Sequence, residues 1–141
     1  MEDLVESLTR GNPTEVKVVL ASVALSLAAY QLVLIAVGYG KLRLSFLAAR
    51  PASASHRASG DAIVVILVVV AAMCVSVFGF EDDALLHVVA GSALLAVLAV
   101  KIAVLRWWHA AGRLLPLLGI SVFLLLALTW LSSAGSFLAD D

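Results

Sequence analysis

Three histidines stand out in a chain otherwise poor in reactive side chains: His56, His87 and His109. A neutral imidazole nitrogen is a good ligand for iron, and an ionisable ring inside an apolar segment is rarely there without a function. His87 and His109 bracket the apolar stretch 84–109, which also holds Gly91, Ser92 and a lone Lys101. Read as one helix, the stretch separates the two rings by roughly 33 Å at ~1.5 Å per residue, about a hydrocarbon core's thickness. Their azimuths differ by only ~40° at ~100° per residue. Both rings can then face the inside of a bundle, one near each membrane surface. Histidines on facing membrane helices are how b-type haem is held, with the iron between axial ligands and the macrocycle in a dry apolar slot.

A haem at the outer end needs a second ligand beside His87. Met73 is the soft side chain at similar depth, and His/Met ligation raises the reduction potential relative to two histidines. At the inner end His56 would pair with His109. Gly91, one turn after His87, leaves room for a flat macrocycle. Lys101 returns to the same side of the helix, where it can meet a haem propionate or a quinone oxygen. Each residue also has a plainer reading. A methionine fills gaps in a core, and a glycine lets helices approach closely. A lysine near a helix end extends to the phosphates, and a histidine at a membrane interface costs little.

No other chemistry has residues to support it. The chain lacks a CxxC pair, an HExxH helix, a phosphate-binding glycine loop and a Ser/His/Asp set. The single cysteine, Cys74, sits in an apolar run and can form no intrachain disulfide. A net charge of −1 gives no reason to expect nucleic acid.

The elements that must carry these residues are membrane helices. The 141 residues are 63% hydrophobic and 13% charged, the latter about half the share of soluble domains. Mean hydropathy is +1.11. Four apolar runs, about 17–38, 60–80, 84–106 and 115–138, predict an all-α, integral membrane, four-helix up-down bundle forming one domain over 1–141. The acidic start, with Glu2, Asp3 and Glu6, is unlike a cleavable signal, so the first span is expected to be retained. Leu4, Val5 and Leu8 would form a surface turn or a frayed end. Asn12-Pro13-Thr14-Glu15 reads as a helix start. Gln31, in mid-span, is expected to bond to another helix, with a cofactor contact as the alternative.

Pro51 and the small residues after it break the pattern before the second span, which Ser59 would cap unless Ser53 or Ser55 starts it earlier. Asp61, four residues after Arg57 and near a helix start, reads as structural. Glu81-Asp82-Asp83 is a turn short enough to make spans two and three antiparallel neighbours, which brings Met73 and His87 to comparable depth. Trp107 and Trp108 suit the headgroup region. Gly112 is expected to end the third helix, and Pro116 to lie in the first turn of the fourth. Lys41, Arg43, Arg50 and Arg57 load the first connection and Arg106 and Arg113 the third. Both termini are therefore expected on the extracytoplasmic side of the membrane, with the two basic connections in the cytoplasm.

At this point the sequence resembles an uncharacterised bacterial family of small four-helix membrane proteins, akin to transmembrane b-type cytochromes and ferric-reductase-like bundles. The likeness covers about residues 45–138. It rests on His56-Arg57-Ala58-Ser59-Gly60, on Cys74 and Gly79-Phe80, on His87 with Gly91 and Lys101, and on Gly112, Pro116 and Leu128-Thr129-Trp130-Leu131-Ser132. It implies that His56, His87 and Lys101 matter, and less so His109. In the family pattern the residue before the cysteine is histidine, where this chain has Met73.

The expected function is that of a membrane b-type haem protein in electron transfer. Haem b would lie between the second and third helices, with quinone or a redox protein as partner, in a monomer or an oligomer. The alternative is a haem-free accessory subunit of a larger respiratory or transport complex. A transporter is disfavoured, since four helices without paired acids or broken spans leave little room for a path.

Overall fold

The computed structural model describes residues 10–38, 49–78 and 85–140, with residues 3 and 7. All regular structure among them is helical. The helices are α1 (Pro13–Gly38), α2 (Ala49–Met73), α3 (Leu85–Arg106), α4 (Leu115–Trp130) and the short α5 (Ser136–Ala139). A π-helical turn, Cys74–Phe78, extends α2, and a second, Leu131–Gly135, joins α4 to α5. A 3-10 segment, His109–Leu114, leads into α4. Four stretches are long and apolar enough to cross a membrane: Pro13–Val37, Ala54–Ser76, Leu85–Arg106 and His109–Gly135. On that length and composition the chain is a multi-pass membrane protein. The expected surface turn of Leu4, Val5 and Leu8, the basic pair Lys41 and Arg43, Gly79-Phe80 and the turn Glu81-Asp82-Asp83 lie outside the described residues.

Local chemistry sets the helix starts. Arg10 and Gly11 hold positive φ, 54° and 79°, and the chain then enters α1 at Pro13, whose missing N–H is no loss in a first turn. The Asn12 carbonyl accepts the first helical bond, from Val16 N–H at 3.3 Å. Glu15 accepts from the Asn12 side-chain amide, so it orders the Asn12 side chain. α2 begins at Ala49, earlier than the apolar run implies. Pro51 falls in its first turn, where an N–H would lack a helical acceptor anyway, so it opens the helix and does not break it. Ser59 is consequently an interior residue and not a cap, and Asp61 sits exposed well inside α2, far from its N-terminus.

The described residues fall into two compact units, Met1–Ser76 and Val77–Asp141. In the first, α1 packs along α2. Gln31, late in α1, bonds to His56 and Ser59, early in α2. Lys17, early in α1, is an electrostatic neighbour of Cys74, just past the end of α2. Those two registers make the pair antiparallel. Ala24 and Ala28 in α1 are almost fully buried, and Ser59, Ile63 and Leu67 form a buried stripe four apart on α2, the spacing of one helix face.

In the second unit α3 packs along α4. His87 faces Ser132, and one turn on Gly91 faces Thr129, so this pair too is antiparallel. Ala90, Leu94, Leu98 and Val104 form the buried stripe of α3. Outward faces of both units are aliphatic, with Val19, Val65 and Val68 exposed in one and Val89, Ile120 and Leu124 in the other. Such surfaces suit lipid, and the serines Ser26 and Ser121 donate to their own helix carbonyls, Ser22 O and Leu117 O, each at 2.9 Å, which satisfies them without water.

Candidate functional site

In the second unit a short polar chain starts at His87 and runs through Ser132 to the Thr129 carbonyl. α3 places the ring two residues after its start, half-buried, with Nδ1 3.2 Å from Ser132 Oγ. Ser132 lies in the π-helical turn that follows α4. Its hydroxyl donates to the Thr129 carbonyl at 3.0 Å, and the Ser133 hydroxyl donates to the same carbonyl at 3.2 Å. Small hydroxyl side chains that bond back along their own helix compete with the backbone ladder, and π-helical turns form at such places. Ser76 makes the equivalent bond, to Ala72 O at 2.7 Å, in the other π-helical turn.

The direction of the His87 bond follows from proton counting. A serine hydroxyl has one proton and two lone pairs. Where that proton is on the Thr129 carbonyl, Ser132 Oγ accepts from His87 and Nδ1 carries the ring proton. The lone pair is then on Nε2. A histidine that ligates a metal ordinarily donates its other ring N–H in this way, which fixes the tautomer and the ring plane. Among the described residues no three His, Cys, Asp or Glu side chains gather into a group able to hold a metal ion.

Gly91 lies on the same side as His87 but looks at α4. A Cβ built on it would be 4.0 Å from the Thr129 methyl, an ordinary contact, so the glycine faces a helix neighbour with space for one methyl group. Lys101 is half-buried, five residues before α3 ends. His109 is not on that helix. α3 stops at Arg106, the chain turns through Trp107 and Trp108, and His109 opens the 3-10 segment, exposed. The shared azimuth expected of His87 and His109 is thus lost, because the α-helical count ends before the second ring. Gly112 falls inside the 3-10 segment and Pro116 in the first turn of α4.

In the first unit Met73 ends α2 and is buried, next to the free, half-buried Cys74. His56 is on α2, its Nδ1 enclosed by protein. The His56 carbonyl accepts from Gln31 Nε2 at 3.0 Å, and the same amide nitrogen donates to Ser59 Oγ at 3.3 Å. Ser59 donates onward to Ser55 O at 2.7 Å. Both amide protons of Gln31 are thereby used between helices, the role expected of it. Gly60 makes the approach possible, since a Cβ there would be 3.0 Å from Gln31 Nε2. Met73 and His56 belong to one unit, His87 and His109 to the other.

Sequence reasoning missed Ser132 as the partner of His87, and Ser59 with Gly60 as the partners of Gln31. A usable signal existed for the first. Ser132 is about as far beyond the α3–α4 connection as His87 is before it, which puts them level in an antiparallel pair.

The chain matches no curated protein and no solved structure. Its sequence matches that of a described family over residues 4–141, nearly its full length. It belongs to DUF6529, a family of unknown function.

Proposed function

We propose that this multi-pass membrane protein is a b-type haem protein that carries electrons, with His87 Nε2 as an axial ligand of the iron. The observation that carries the reading is the chain from His87 through Ser132 to the Thr129 carbonyl. With the Ser132 proton on Thr129 O, Nδ1 donates and Nε2 has the lone pair a ligand needs, which supports the reading. Haem b supplies a one-electron iron couple when bound. The residues of this chain would orient the ligand ring, exclude water with aliphatic helix faces, and place Lys101 as a cation on the ligand's helix. Met73, His56 and His109 stay in the proposal as further ligand candidates, and quinone or a redox protein as the partner.

The membrane frame of the proposal is an up-down bundle in a bacterial cytoplasmic membrane with both termini outside. It rests on the bias of Lys and Arg toward the first and third connections. Reduced-minus-oxidised spectra of protein purified after expression with haem supply test the function. Soret and α bands are the expected result, and their absence removes it.

A second reading has its own observation. The Gln31 clasp on His56, Ser59 and Gly60 spends the mid-span amide of the first unit on helix pairing alone. A haem-free accessory subunit of a larger membrane complex needs only such pairing. Co-purification with that complex, without haem bands, would favour it.

A further inference from the structure

The junction between α3 and α4 is a donor-rich surface. Arg106, Trp107, Trp108, His109 and Arg113 lie within eight residues and are all exposed. Trp107 is 73% and Trp108 61% exposed, so neither indole packs into its own unit. The backbone there is satisfied internally. Trp107 and Trp108 N–H groups both donate to the Ala103 carbonyl, at 2.8 and 3.1 Å, and Ala111 N–H donates to Trp108 O at 2.8 Å. What points outward is two guanidinium groups, two indole N–H donors and an imidazole, and only the last has an acceptor to offer. No Asp or Glu occurs from Ala84 to Ala139, so no carboxylate near in sequence neutralises the two arginines. The antiparallel register of α3 and α4 also puts Asp140 at the far end of the pair.

The position adds a second constraint. The junction separates the candidate spans Leu85–Arg106 and His109–Gly135, so it lies where the chain leaves one crossing and starts the next. Exposed tryptophans there belong among headgroups and glycerol backbones, with apolar rings down and N–H groups up. A ligand for this surface must be anionic, rich in acceptors, and carried on a lipid. We propose that residues 106–113 bind the phosphate of an anionic phospholipid headgroup, the arginines taking the phosphate oxygens as charge-assisted donors and the tryptophans the glycerol region. A zwitterionic headgroup presents the same phosphate with a cation beside it, and the two arginines select against it.

The test uses the full chain carrying Trp130→Phe, so that fluorescence reports Trp107 and Trp108. It is reconstituted in phosphatidylcholine vesicles containing an equal mole fraction of either brominated phosphatidylglycerol or brominated phosphatidylcholine. Brominated phosphatidylglycerol is expected to quench more, by a local enrichment of about fivefold for each arginine engaged. The excess should fall to parity in Arg106→Gln/Arg113→Gln and at high salt, and soluble glycerol phosphate should leave it intact. Equal quenching by the two lipids would overturn the proposal, as would an excess that survives both the double substitution and salt. Loss of the excess to soluble glycerol phosphate would overturn it in favour of a site for a free phosphate compound. If the double variant does not reconstitute, the salt series on the parent protein decides the same point.

Discussion

His87 Nδ1 and Ser132 Oγ lie 3.2 Å apart across two antiparallel helices, and the same hydroxyl is 3.0 Å from the Thr129 carbonyl. Ser132 thereby bears on the tautomer of a ring forty-five positions away: with its proton on Thr129 O, the ring proton sits on Nδ1. That tautomer would leave the lone pair on Nε2, the nitrogen proposed as the iron ligand.

That assignment predicts a spectroscopic result. Nitrogen-15 spectra of the haem-free protein with labelled histidine should show His87 with a protonated Nδ1 and an unprotonated Nε2. Ser132→Ala should turn this single tautomer into a mixture. A wild-type spectrum with the proton on Nε2 would reverse the direction of the bond and remove the argument for Nε2 as a ligand.

The Gln31 clasp predicts a coupled pair. Interhelical hydrogen bonds in membranes contribute about 0.6 kcal/mol on average and up to about 1.7 kcal/mol. Gln31→Ala should destabilise the protein within that range, since Ser59 keeps its own bond to Ser55 O and no donor is stranded. Gly60→Ala pushes a methyl group toward Gln31 Nε2 at 3.0 Å, so its cost should fall markedly in a Gln31→Ala background. Denaturation of the four proteins in micelles measures this, and additive effects would show that the two residues do not act together.

Two glycines on different helices should respond differently to the same substitution. Glycine within a helix costs roughly 0.5–1 kcal/mol relative to alanine. At Gly91 the new Cβ meets only the Thr129 methyl at 4.0 Å, so Gly91→Ala should stabilise the fold by up to that amount. At Gly60 the displaced amide opposes the gain, and Gly60→Ala should be neutral or destabilising. Haem content gives Gly91 a second readout. If the glycine makes room for a macrocycle, Gly91→Ala should lower haem content while raising stability.

The helices were legible because membrane-spanning runs announce themselves by length and apolarity, and the mid-span Gln31 was legible because lipid offers an amide no partner. Helix ends were less so. Pro51 has the same spelling whether it breaks a helix or opens one, and only the backbone placed it in a first turn. His109 reads as helical because the apolar pattern runs through it, whereas the α-helix ends at Arg106. The partners of Gln31 and His87 depend on which helix packs on which and in what register. No local pattern encodes that, although counting outward from the α3–α4 connection brings Ser132 level with His87.

The most direct test of the account is the haem stoichiometry of the purified protein by pyridine haemochrome assay, in wild type and in His87→Ala, with helix content checked by circular dichroism. The account predicts haem in the wild type, loss of it in His87→Ala with helices intact, and partial loss in Ser132→Ala. Haem bound equally by wild type and His87→Ala, or a wild type that takes up none when haem is supplied, would contradict it.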